Sequence, residues 1–140
     1  MDLKVKRINK KAKLPNYSHQ GDAGLDVFSV VDYNLKSQEI KAIPTGIKIA
    51  IPEGFVGLVW DKSGLSLKGV HCLAGVIDSG YRGEVKVVMV NLSQQLFEIK
   101  KGTKIAQILI QPVAGVRVVE VEELEKTDRG DKGFGSSGKY

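Results

Sequence analysis

A single cysteine, Cys72, stands in 140 residues. One thiol forbids a disulfide within the chain and leaves no Cys-rich zinc framework. The two histidines, His19 and His71, are far apart, and His71 adjoins Cys72, which is poor spacing for metal ligands. Scarce cysteine points to a reduced, cytoplasmic setting. The first residues are charged where a signal peptide is apolar. The longest apolar stretches, such as Val87–Val90, fall far short of a membrane span, so no membrane partner is expected. Helical periodicity is scarce as well, and only the stretch around Ser63–Lys68 suits a turn or two.

Hydrophobic residues make up 42% of the chain, enough for one domain with a real core. The net charge is +5, which invites a nucleic-acid reading. Its distribution argues against one. Residues 1–20 hold six basic groups against one acid, Asp2, and so carry the whole excess. Leu3 and Val5 alternate there with Lys4 and Lys6, the period of a strand with one solvated face. A nucleic-acid stripe is usually interleaved with stacking aromatics, and this segment offers only Tyr17.

Sixteen glycines and short alternating runs predict an all-β domain. Gly46–Ile51 and Phe55–Trp60 read as two strands of a hairpin about Pro52-Glu53-Gly54. Glu84–Asn91 reads as a strand buried on both faces, and Lys104–Val113 as another. Val116–Val121 also alternates, then runs into the acidic Glu122–Glu125. Turn signals about every ten residues suit a sandwich or closed barrel. From Thr127 the composition changes to glycine, serine and charge, which cannot pack a core. That sets the domain at residues 1–126, followed by a flexible arm, 127–140.

Five segments carry residues suited to chemistry. The arm has Arg129, Lys132, Ser136 and Ser137 spread over four glycines, with Phe134 among them. It is either disordered or a phosphate-and-base clamp, because glycine admits close backbone approach and arginine grips phosphate with two donors. Gly75–Glu84 has Ser79-Gly80 at a hairpin tip. Asp78 there is either a turn former or a general base toward water. Tyr81 is either a surface strand aromatic or a ring against a sugar. Asp61-Lys62-Ser63-Gly64 follows Trp60 at a strand end and can meet an anion. Gly21–Val27 and Lys101–Gln107 each read, taken singly, as a turn feeding a strand.

In this order the five segments resemble the motifs of the trimeric dUTPase family, from about Gly21 to Gly138. The resemblance implies a jelly-roll β-barrel of the dUTPase-like β-clip kind, assembled as a homotrimer with exchanged C-terminal arms and shared active sites. It implies hydrolysis of dUTP to dUMP and diphosphate, which clears dUTP from the nucleotide pool and supplies dUMP for thymidylate synthesis. Asp78 would deprotonate the water attacking the α-phosphorus. Val76, Ile77 and Lys86 would lie by the base, Tyr81 on the deoxyribose. Lys62, Ser63, Gly64 and Gln107 would meet phosphates. Arg129, Gly135, Ser136 and Ser137 would hold the outer phosphates, and Phe134 would stack on uracil. Mg²⁺ would ride on the triphosphate without a direct protein ligand, with Asp26 ordering the barrel or touching outer-sphere water.

The chain departs from the family pattern at Lys62, where arginine is usual and proline precedes it in place of Asp61. It departs again at Cys72, where many members have asparagine, and at Lys132, which replaces a glycine. A related dCTP deaminase would need glutamate ten positions beyond Asp78, and Val88 stands there. A non-catalytic nucleotide-binding module is the other alternative.

Overall fold

Short alternating and apolar runs supply the strands. The computed structural model describes residues 1–138. In chain order it forms β1 (Lys4–Arg7), β2 (Leu25–Phe28), β3 (Tyr33–Leu35), β4 (Ile40–Pro44), β5 (Ile47–Ala50) and β6 (Phe55–Trp60). The helix α1 (Ser63–Ser66) follows, then β7 (Val70–Leu73), β8 (Val76–Ile77), β9 (Lys86–Asn91), β10 (Phe97–Ile99) and β11 (Lys104–Pro112). The chain is all-β, and the one short helix among the described residues falls in the stretch around Ser63–Lys68 that suited it.

Pairing is antiparallel within four sheets, ordered β1-β5, β10-β3, β2-β11-β6-β8 and β4-β9-β7. In the first, Val5 faces Ile49 and Lys6 faces Lys48. Ile47 and Ile49 are buried while Lys4 and Lys6 stay in water, so the N-terminal charge lies on the outer face of a strand. Strand β9 sits between β4 and β7, and Val87, Met89 and Val90 are buried, as its continuous apolar run implies. Asn91 ends that strand in the core, fully buried. Its amide donates to the carbonyls of Leu35 at 3.0 Å and Gln95 at 2.7 Å, which offsets the cost of burying it.

One pairing differs from expectation. The turn after Pro52 is present, with Gly54 at φ +78 and the Phe55 N–H bonded to the Pro52 carbonyl at 3.1 Å. The flanking strands are also present, but they do not form a hairpin. Strand β5 pairs with β1, and β6 pairs with β11 and β8. The two segments meet instead through the side chain of Ile51 at Gly57. A Cβ on Gly57 would lie 2.9 Å from the tip of Ile51, so glycine opens the space that Ile51 fills. Burial of Ile47, Ile49 and Ile51 in the core, with β1 as the partner of β5, outweighs the local turn signal.

The alternating Val116–Val121 forms no strand in this chain. The last backbone bond to the sheets joins the Val113 N–H to the Gly54 carbonyl at 2.9 Å. Val116, Val118, Val119, Val121 and Leu124 are all exposed. Alternation needs a neighbouring strand before it becomes structure, and none of the described strands pairs with this segment. Residues 139 and 140, the end of the expected arm, lie outside the described residues. Among the described residues no helix is long and apolar enough to cross a membrane.

Candidate active site

The register of one sheet assembles the first group of site residues. Asp26 of β2 lies opposite Gln107 of β11, which lies opposite Trp60 of β6. The chain then leaves β6 through Asp61 and Lys62 into α1. The Gln107 side chain donates to the Asp61 carbonyl at 2.8 Å. This contact requires Gly24, since a Cβ there would fall 2.3 Å from the Gln107 amide oxygen. Ser63 and Gly64 are exposed at the start of α1.

Asp26 is buried, yet its carboxylate is fully engaged. One oxygen pairs with Lys62, and the other with Lys104 at 2.7 Å and with the Ser18 hydroxyl. Burial pushes its pKa up, but the bonds from Lys104, Lys62 and Ser18 outweigh that and hold it at about 2. Lys104 and Ser18 were not singled out from sequence as site residues, because the fold brings them to Asp26 from the adjacent strand β11 and from the loop after the Asn16–Asp26 bridge. Lys62, expected at phosphate, pairs with Asp26 in this structure and remains partly exposed.

Asp61 carries a second network. Its carboxylate accepts the Cys72 N–H at 2.6 Å, contacts His71 Nδ1 at 2.6 Å and accepts from the Ser66 hydroxyl at 3.1 Å. Burial raises its pKa, and these bonds, led by His71 and Cys72, more than reverse the effect. The Cys72 thiol is pushed up to about 12 by burial and by Asp61. Such a thiol is held in its protonated form at neutral pH, which disfavours nucleophilic attack.

The second group lines a cleft of about 360 Å³. Val76, Ile77, Asp78, Tyr81 and Lys86, all selected from sequence, share its walls with Val59, Leu73 and Val88. Gly75 brings the chain in close. Its φ is +129, a Cβ would meet the Val59 carbonyl at 2.7 Å, and the Val59 N–H donates back to the Gly75 carbonyl at 2.8 Å. Beyond β8 the Tyr81 N–H bonds the Asp78 carbonyl at 3.1 Å, so a turn forms at Ser79-Gly80, but it is not the expected hairpin tip, because β8 pairs with β6 while the next strand, β9, pairs with β4 and β7. Strand β8 pairs with β6, so this turn opens off that sheet's edge. The Tyr81 hydroxyl donates to the Glu84 carbonyl at 3.0 Å, with the ring laid over Gly83. Asp78 is exposed.

The two groups are apart. Ile77 pairs with Gly57, and β8 runs antiparallel to β6, so Asp78 lies at the Val56 level, near the start of β6. Lys62 and Gln107 lie at its far end. At about 3.3 Å per residue, Val56 and Trp60 alone are separated by about 13 Å. The arm meets neither group. Beyond Val113 every hydrogen bond among the described residues is internal to it, such as Arg129 Nε to the Lys132 carbonyl at 3.0 Å. Phe134 is fully exposed, and Gly135, Ser136 and Ser137 are exposed beside it.

Among the described residues no three His, Cys, Asp or Glu side chains cluster to hold a metal. Asp26 has its oxygens occupied by two ammonium groups and a hydroxyl, a donor set that does not suit a cation.

A family model described as dUTPase matches residues 10–138. A deoxyuridine 5'-triphosphate nucleotidohydrolase of Clostridium kluyveri is 55% identical, with 99% of each chain covered. One of Clostridium novyi is 46% identical, again with 99% of each covered. Among solved structures, a mutant of the dUTPase of Staphylococcus bacteriophage 80alpha with dUpNHpp aligns at TM-score 0.91 and 34% identity over 98% of both chains. A mutant dUTPase from phage phi11 of S. aureus, described for its coordination of a structural Mg(II) ion, aligns at TM-score 0.84 and 29% identity. The alignment covers 90% of this chain and 100% of that one.

Proposed function

The chain belongs to the dUTPase family, and from that premise we propose that it hydrolyses dUTP to dUMP and diphosphate with Asp78 as general base. The observation that carries the reading is the single cleft shared by Val76, Ile77, Asp78, Tyr81 and Lys86. Asp78 takes a proton from water as the water oxygen bonds the α-phosphorus. The bond from that phosphorus to the bridging oxygen breaks, and diphosphate leaves. Backbone groups near Val76 and Ile77 bind the base, so cytosine, with a donor and an acceptor exchanged, is rejected. Tyr81 covers the deoxyribose and excludes a 2′-hydroxyl.

Neither group of residues is a complete site, which supports a shared one. We assign Asp78 and its cleft to one chain, and Lys62, Ser63, Gly64 and Gln107 to a neighbour. The third contribution is an arm bearing Arg129, Phe134, Gly135, Ser136 and Ser137. A homotrimer of jelly-roll barrels with exchanged arms also gives the exposed Val116, Val118 and Val121 a surface to cover. Mg²⁺ would be carried by the triphosphate, where it would shield charge, and no step here runs through it. A reduced, cytoplasmic setting suits a protein whose one cysteine is buried and unpaired.

Val88 lines the cleft and cannot transfer a proton, which disfavours deamination of dCTP. The test is diphosphate release from dUTP, dCTP, dTTP and UTP with Mg²⁺, together with analysis for deaminated products. Turnover of dUTP alone is expected. Deamination of dCTP, or binding of dUTP without turnover, would overturn the reading.

A further inference from the structure

We propose that Asp61 is a positioning residue that sets the phosphate-facing turn Lys62–Gly64 by clamping it between two sheets, an inference that rests on the reading above. Asp61 is where the chain leaves β6 and bends into α1. Its carbonyl holds Gln107 of β11 at 2.8 Å, within its own sheet. Its carboxylate reaches the main chain of Cys72 at 2.6 Å, in a strand of the other sheet. The same carboxylate takes the hydroxyl of Ser66 at 3.1 Å, which closes the first turn of α1 back onto its origin. One residue therefore fixes both ends of the turn that presents Lys62, Ser63 and Gly64. The side chain is three-quarters buried, and its pairing with His71 at 2.6 Å shields it on the outer side.

The anchoring is unequal, and this makes the idea testable. Strand β7 is held independently by four register pairs with β9, from Val70 with Asn91 to Leu73 with Val88. The turn after β6 has no strand pairing beyond Trp60, and apart from Asp61 its tie to a strand is the side-chain pair of Lys62 with Asp26 of β2. Loss of the carboxylate therefore loosens the phosphate side while the base cleft, fixed through β7 and β8, keeps its shape. A small displacement of groups aimed at a bound polyanion is costly, since misplacement by about 1 Å lowers rate by about 10²-fold.

The experiment compares Asp61→Ala with wild type in binding a non-hydrolysable imido analogue of dUTP and in binding dUMP, alongside dUTP turnover. The variant should bind the triphosphate analogue at least about tenfold more weakly, by the same positional argument, with dUMP affinity nearly unchanged. Asp61→Asn, which keeps an acceptor for the Cys72 N–H, should recover most of the loss. Equal weakening of both ligands, or of neither, would overturn the assignment while leaving the hydrolase reading intact. Failure of wild type to hydrolyse dUTP would overturn both. Should Asp61→Ala not fold, Ser66→Ala removes one anchor from an exposed position, and the same selective loss, smaller in size, is required of it.

Discussion

Lys104 closes on the buried carboxylate of Asp26 at 2.7 Å from the adjacent strand. With Lys62 on the other oxygen, two ammonium groups outweigh the cost of burial and hold the acid at about 2, against an ordinary 3.8. A folded-state value below the unfolded one gives stability that is complete above about pH 4 and lost as pH falls through about 2. The contribution is about 2 kcal/mol. Denaturant midpoints from about pH 6 to about pH 2 should fall more steeply for wild type than for Asp26→Asn below about pH 4. At neutral pH the variant should be the less stable protein, because it leaves two lysines around a neutral amide. Parallel acid limbs would refute the role given to this cluster.

The arm and the segment before it separate two functions. Deleting residues 127–140 should leave folding and assembly intact and abolish most turnover, because the groups assigned to close over the nucleotide are gone. A cut at residue 114 also removes the exposed Val116, Val118 and Val121, and it should lower the oligomeric state. Size-exclusion chromatography with turnover assays on both truncations decides the point. Full activity without residues 127–140 would dispose of the arm's role.

Local signals made the strands legible, and long-range pairing did not. The alternation of Leu3 to Lys6 and the apolar run before Asn91 each specify a strand, and each is there. The hairpin expected about Pro52 failed because turn chemistry constrains direction over a few residues only. Strand β5 pairs with β1, and its isoleucines go into the core. The same limit explains the site. Asp78, Tyr81 and Lys86 are near one another in sequence and line one cleft. Asp61 stood out in sequence only as a departure, yet its work lies in partners five, ten, eleven and forty-six positions away. Cys72 and Asp61, two separate departures in sequence, prove to be hydrogen-bonded neighbours.

The separation of Asp78 from Gln107 along β6 carries the last prediction. If each site takes Asp78 from one chain and Gln107 from the next, then Asp78→Asn and Gln107→Ala damage different halves of the site. Each variant alone should retain little turnover, with the lost general base costing at least about 10²-fold. Mixed in equal amounts, unfolded and refolded together, they must form some interfaces in which both contributing halves are intact. Random assortment in a closed ring of identical subunits makes that about one site in four. The mixture should therefore recover up to about a quarter of wild-type activity per site, while either variant refolded alone recovers none. A site contained in one chain allows no such rescue, because every chain in the mixture carries a lesion. Turnover of the co-refolded mixture against the two separately refolded variants tells these cases apart.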